Sequence, residues 1–192
     1  MAKSPVEVNL IPIEATSETF ADYGQIIEAS RDGETFGPND AQLDLSRGTP
    51  RFYIMPLQGT SFSFSEITHH ANVTQCLGSI GAHVWYLGVA KPSLIEDDDD
   101  DGRRVDAVES KSGHLYIPPA VEEIRVFRIS GPKFVKLNRG TWHAGPLFID
   151  SSSMDFCNLE LTNTNVVDHT PHDFRKNNGV IFRFKPIEET SS

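Results

Sequence analysis

From Arg51 onward, strand-length segments rich in aromatic and β-branched residues follow one another at short intervals: RFYIMPL, SFSFSEITH, HVWYLGVA, HLYIPP, EIRVFRI, PKFVKLN, TWHAGPLFI, MDFCNLELT and VIFRFKP. Gly, Pro, Ser or Asp separates them, and no window of about 12 residues or more carries an amphipathic helical stripe. A chain with many short strands and no long helix must bury its apolar faces sheet against sheet. The pattern predicts an all-β sandwich or barrel with little helix, with a jelly-roll, double-stranded β-barrel as the favoured form. No segment repeats at a fixed period, which excludes solenoids and propellers.

The first fifty residues read differently. Val6, Val8 and Leu10 alternate with polar residues over 6–13, Thr16 and Ser17 are placed to cap a helical turn over TSETFADYG that Gly24 closes, and a strand begins at Ile26. Residues 29–50 are rich in Asp, Gly, Ser, Asn and Pro, and predict a long irregular loop. A loop of that length in a compact domain serves as a lid, a dimer arm or a disordered segment. At 192 residues the whole chain is expected to form a single domain, 1–192, with a core large enough to need no disulfide or metal.

A formal net charge of -10 argues against nucleic acid and anionic membrane surfaces as partners, since both would be repelled. A small anionic substrate then requires Arg or Lys side chains gathered locally. Cys76 and Cys157, two in all, are expected to be reduced and buried. The N-terminal stretch MAKSPVEVNLIPIE is not signal-like and no run approaches the ~20 apolar residues of a membrane span, so a cytoplasmic protein is expected. On that reading the sequon Asn72-Val73-Thr74 is accidental. The acidic run from Glu96 to Asp101 lacks the spaced ligands and turn glycine of a calcium loop and reads as a solvated loop, and the tail IEETSS as an untethered terminus.

Of the seven histidines, His83, His114, His169 and His172 have no partners at useful spacing and read as structural or surface residues. His69, His70 and His143 are better placed. The segment GPKFVKLNRGTWHAGPLF is a strand, a glycine turn at Gly140, and a second strand that opens on Trp142-His143, while EITHHANVTQ ends an earlier strand on a histidine pair. In a metal-binding cupin, His-x-His followed by Glu on one strand and a His after a glycine turn on another converge in one barrel end. Here Thr68 and Gln75 stand where His and Glu would be. No bound cofactor is therefore expected; a divalent metal on His70, Gln75 and His143 is the alternative. Lys136 and Asn138 share a strand face that runs into Arg139, which would place cations at a cavity mouth if that face points inward. Met154, Phe156, Asn158 and Glu160 share a face of MDFCNLELT, and Glu160 is the preferred buried carboxylate.

These segments resemble the ureidoglycolate lyase family, also called ureidoglycolate hydrolase, of the cupin superfamily. The resemblance runs through VNLIPIEATSETFADYGQIIE, PRFY, HHANVTQ, HVWYLGVAKP, IRVFRISGPKFVKLNRGTWHAGPLF and DFCNLE, and its most specific part is Arg139 to Phe148. It implies a cupin-type double-stranded β-barrel, a homodimer, and release of urea and glyoxylate from ureidoglycolate in purine and allantoin breakdown. By resemblance His70 and His143 take acid, base or polarising roles, Gln75 orients them or holds substrate, and Arg139 with Lys136 grips the substrate carboxylate. Thr68, Ala144, Gly145 and Leu161 depart from the family pattern, and Thr68, Ala144 and Leu161 favour the alternative of a non-catalytic cupin that binds a small carboxylate or sugar-like ligand.

Overall fold

The computed structural model describes residues 4–59, 61–96, 103–149 and 153–187. The acidic run beyond Glu96 and the tail beyond Ile187 lie outside the described residues. In chain order the elements are β1 (Val6–Leu10), β2 (Ile13–Glu14), β3 (Gly24–Ile27), β4 (Pro50–Gln58), β5 (Ser63–Phe64), β6 (Glu66–His69), β7 (Gln75–Ser79), β8 (Trp85–Ala90), β9 (Leu94–Ile95), β10 (Val108–Glu109), β11 (Leu115–Tyr116), β12 (Arg125–Ile129), β13 (Phe134–Leu137), β14 (Trp142–Leu147), β15 (Ser153–Leu161), α1 (Thr164–Val167), β16 (Thr170–Asp173), α2 (Phe174–Asn178) and β17 (Val180–Phe184).

The fold is all-β in class. Among the described residues the strands form four sheets and none closes into a barrel: a six-stranded sheet β16-β6-β14-β8-β12-β2, a five-stranded sheet β3-β13-β7-β15-β4, and the three-stranded sheets β1-β17-β5 and β10-β11-β9. Strand parity distributes the side chains. On β8, Trp85, Leu87 and Val89 enter the core shared with the five-stranded sheet, which supplies Ile26, Leu77, Val135, Leu137 and Phe156. Tyr86 and Ala90 face the other way and join Ile67, Val126, Trp142, Phe174 and Phe182 in a second core. Both faces of β8 are therefore buried, which is why its sequence is a continuous apolar run instead of an alternation.

Two departures from expectation have local causes. Residues 16–24 form hydrogen-bonded turns and no helix; Thr16 and Thr19 satisfy each other's backbone N–H through their hydroxyls, and Gly24 opens β3 instead of closing a helix. Helix appears instead as the short α1 and α2, the latter capped by the Asp173 carboxylate on the Lys176 N–H and ended by Gly179 in the left-handed conformation. Cys76 and Cys157 are free but only half-buried, a correction to the buried reading, because both lie on the outer side of the five-stranded sheet.

The 29–50 loop is irregular as expected, and its ties are specific. The Gln25 amide donates to the carbonyls of Pro38 and Asp40 and accepts from the Gln42 N–H, while Asp44 and Thr74 exchange backbone and hydroxyl hydrogen bonds. The loop thus ends against the turn that carries His70.

Phe127 packs edge-on against Phe20 at 4.9 Å and Tyr23 at 5.3 Å, at 1 % exposure. Phe127→Ala is expected to lower the unfolding free energy by about 3–5 kcal/mol in urea titrations. Ile54→Ser, on the solvent side of β4, is expected to change it by no more than about 0.5 kcal/mol.

Candidate functional site

His143 on β14 lies directly opposite Thr68 of β6 and Val89 of β8. Val89 belongs to the core between the two large sheets, so alternation turns His143 to that side and Trp142 to the other. The same rule separates the adjacent pair His69 and His70. His69 faces outward, its ring 4.1 Å from that of Trp142 and its Nε2 2.7 Å from Nε2 of His114. His70, one residue past β6, turns inward to within 5.2 Å of the His143 ring. Together they line a cavity of about 440 Å³ whose opposite wall is Tyr53, Gln75, Asn158 and Glu160 from the five-stranded sheet.

The turn after β6 is fixed from every side. Buried Asp168 accepts the Ala71 N–H at 2.8 Å and the Asn72 N–H at 2.7 Å, and its own carbonyl accepts from His70 Nδ1 at 2.6 Å. The Gly140 N–H donates to the His70 carbonyl at 2.7 Å, and Arg139 Nε donates to the Ala71 carbonyl at 2.7 Å. Gly140 can do this because it sits at φ 77, and a Cβ there would meet the Leu94 side chain at 2.5 Å. Two residues beyond His143, Gly145 at φ 114 and a cis Gly145-Pro146 bond form a bulge in β14 that also lines the cavity.

These contacts assign the tautomers. A carbonyl oxygen only accepts, so His70 Nδ1 carries a hydrogen, and His143 Nδ1, 3.3 Å from the Thr141 carbonyl, does too. Burial is the main force holding both rings below the ordinary 6.5, His143 down to about 3, with the charge of His70 pushing His143 the same way; the hydrogen bond to the Asp168 carbonyl pulls the other way on His70. Each is neutral at pH 7 with an unprotonated Nε2, and both residues line the cavity. Exposed His169 joins them: the Thr68 hydroxyl donates to the Thr170 carbonyl at 3.1 Å, which leaves its oxygen to accept from His169 Nδ1 at 3.3 Å.

The opposite wall is also rich in acceptors. Glu160, 1 % exposed, accepts from Tyr53 Oη at 3.2 Å, Gln75 Nε2 at 3.1 Å and Asn158 Nδ2 at 3.0 Å. Because the carboxylate claims both amide NH₂ groups, the carbonyl oxygens of Gln75 and Asn158 are turned away, buried and without a hydrogen-bond partner among the described residues. An unsatisfied buried acceptor costs about 1–3 kcal/mol, so this arrangement does not serve stability.

The structure brings His70, His143, Gln75 and Glu160 into one cavity. It takes Arg139 and Lys136 elsewhere, while Asn138 lines a narrow crevice with His70, Gln75 and His143 beside the cavity. Arg139 braces the turn and pairs with Glu96 at 3.0 Å. Lys136 is opposite Cys76, on the far side of β13 from Val135 and Leu137, where its Nζ donates to Asn138 Oδ1 at 2.6 Å. The face of β13 that carries Lys136 is the outer one. Burial lowers the Lys136 pKa, with no carboxylate to offset it. Sequence reasoning missed Tyr53, Asp168 and His169. Asn158 was within reach, since it shares strand parity with Glu160, whereas the other three are brought in by strand pairing or by a turn that the sequence pattern does not encode.

Among the described residues no three His, Cys, Asp or Glu side chains are grouped to hold a divalent ion, and the Gln75 amide nitrogen donates to Glu160. No helix among the described residues is long and apolar enough to cross a membrane. Compared with models of known protein families and with curated proteins, the chain gives no match.

The depressed His143 pKa makes stability depend on pH. Above about 6.5 neither folded nor unfolded chain binds the proton; below it the unfolded chain does and the folded one does not, so stability falls from there down to about 3. His143→Gln is expected to make the fall in unfolding free energy between about pH 6 and pH 4 shallower by one proton, ~1.4 kcal/mol per pH unit, in urea titrations.

Proposed function

We propose that the chain is a cupin-like enzyme of the ureidoglycolate lyase type, releasing urea and glyoxylate from ureidoglycolate without a metal. The observation that carries this reading is the pair of neutral imidazoles, each anchored through Nδ1–H to a backbone carbonyl, with open Nε2 atoms across a small cavity from a buried carboxylate. The reaction needs a base for the carbinol hydroxyl. One Nε2 takes that proton, the O–H electron pair becomes the carbonyl of glyoxylate, the C–N bond breaks, and the departing nitrogen takes a proton to become urea. Neutral histidines perform the first step at pH 7, and the imidazolium so formed is the acid for the last. Glu160 offers an acceptor to the N–H groups of a ureido head. The paired sheets and the placement of both histidine-bearing strands also support the jelly-roll reading of the fold, and a homodimer remains part of the proposal.

A second reading is a non-catalytic module that binds a small ligand; one observation weighs against the lyase and toward it: Arg139 and Lys136, which the resemblance puts on the substrate carboxylate, do not reach the cavity. Measuring urea and glyoxylate from purified protein and ureidoglycolate separates the two. The lyase reading expects release well above the spontaneous rate, and a loss of about 10²–10⁴ in kcat for His143→Ala. Release at the spontaneous rate, or a His143→Ala variant equal to wild type, overturns it; a rise in Tm with ligand but no turnover would then establish the binding module.

A further inference from the structure

The cavity is short of positive charge. Among the described residues no Lys or Arg lines it, while Glu66, Glu160 and the imidazoles do. With two carboxylates and no cation in its lining, the cavity would favour the N–H-bearing end of a ligand and repel a carboxylate. One cation nevertheless stands at its rim. Tyr53, Met55 and Leu57 line the cavity from alternate positions of β4, and Arg51, two residues before Tyr53, lies on that same face. It is paired across strands directly with Glu160.

Arg51 is held but not used up. Its guanidinium carbon sits 3.7 Å from the centroid of the Tyr53 ring, a stacking that fixes the plane of the fork. Its Nη1 is 3.8 Å from Glu160 Oε1, beyond hydrogen-bond reach, and its side chain is 45 % exposed. Among the described residues its guanidinium N–H groups make no hydrogen bond. A planar fork oriented by an aromatic ring, with free donors at the edge of an acceptor-lined cavity, matches a carboxylate bidentately.

We propose that Arg51 is the residue that selects for an anionic substrate: the cavity takes a small molecule whose amide or ureido head meets Glu160 and the imidazoles, and whose carboxylate is held at the rim by Arg51. The identity of the head group rests on the lyase reading; the role of Arg51 rests on its position and its free donors. Arg51 thereby replaces Arg139 and Lys136 as the carboxylate grip.

Calorimetric titration of the full chain with N-carbamoylglycine and with its uncharged amide, N-carbamoylglycinamide, tests this. The wild type is expected to bind the acid about tenfold or more tightly than the amide. Arg51→Met is expected to erase that preference by weakening the acid alone, and Arg51→Lys to restore part of it. The proposal is overturned if Arg51→Met weakens both compounds equally, the result of a purely structural role beside Tyr53 and Glu160, or if it leaves the preference intact. It is equally overturned if the wild type shows no preference or does not bind the acid. A preserved preference together with no urea release from ureidoglycolate leaves the role of Arg51 standing and removes only the lyase reading.

Discussion

The site depends on one buried carboxylate. Asp168 is 2 % exposed and accepts two successive backbone N–H groups, from Ala71 and Asn72, while its carbonyl holds His70 Nδ1. Hydrogen bonds to a carboxylate are about twice as strong as neutral ones, and here two of them, with the neutral bond from His70 Nδ1 to the Asp168 carbonyl, converge on four residues of chain. They join the end of β6 to the turn before β16, set the direction in which His70 leaves the sheet and fix its tautomer. Arg139 and Gly140 complete the brace from the β13–β14 turn, so two distant parts of the sequence grip the same peptide groups.

Parity in the six-stranded sheet does the rest. His69 and His70 are neighbours in sequence, yet one packs on Trp142 in the outer core and the other faces His143 across the cavity. Burial on both faces keeps the imidazoles neutral, and the same burial leaves the Gln75 and Asn158 carbonyl oxygens without partners. A chain selected for stability alone would fill such a wall with apolar side chains. The partnerless amide oxygens and the uncharged imidazoles both result from burying polar groups beside one cavity.

Much of this was legible in the sequence because it is written in short-range pattern. The alternation of β4 and β15, the apolar run of β8 and the glycine turn before His143 each specify their element locally, and all-β architecture follows. His70, Gln75, His143 and Glu160 could be singled out for the same reason. Arg139 and Lys136 could not be placed, because a face has no inside or outside until its sheet has a partner: Lys136 falls outward only once Leu137 is seen against Gln75 and the core. Arg139 was drawn instead to the Ala71 carbonyl, a contact between residues far apart in the chain. Asp168 and His169 lie in a polar stretch after β15, and nothing local marks them as partners of His70 and Thr68. Arg51 carries no signal beyond being the first charged residue of a strand, and its importance comes from the cross-strand pairing with Glu160.

The account rests on two imidazoles that are neutral, protonated on Nδ1 and open on Nε2. Nitrogen-15 NMR of the histidine rings at pH 7 reads this directly, with His70→Gln and His143→Gln used to assign the signals. The account predicts that both rings show a protonated Nδ1 and an unprotonated Nε2. A proton on Nε2 of either ring, or an imidazolium at either position, would contradict it.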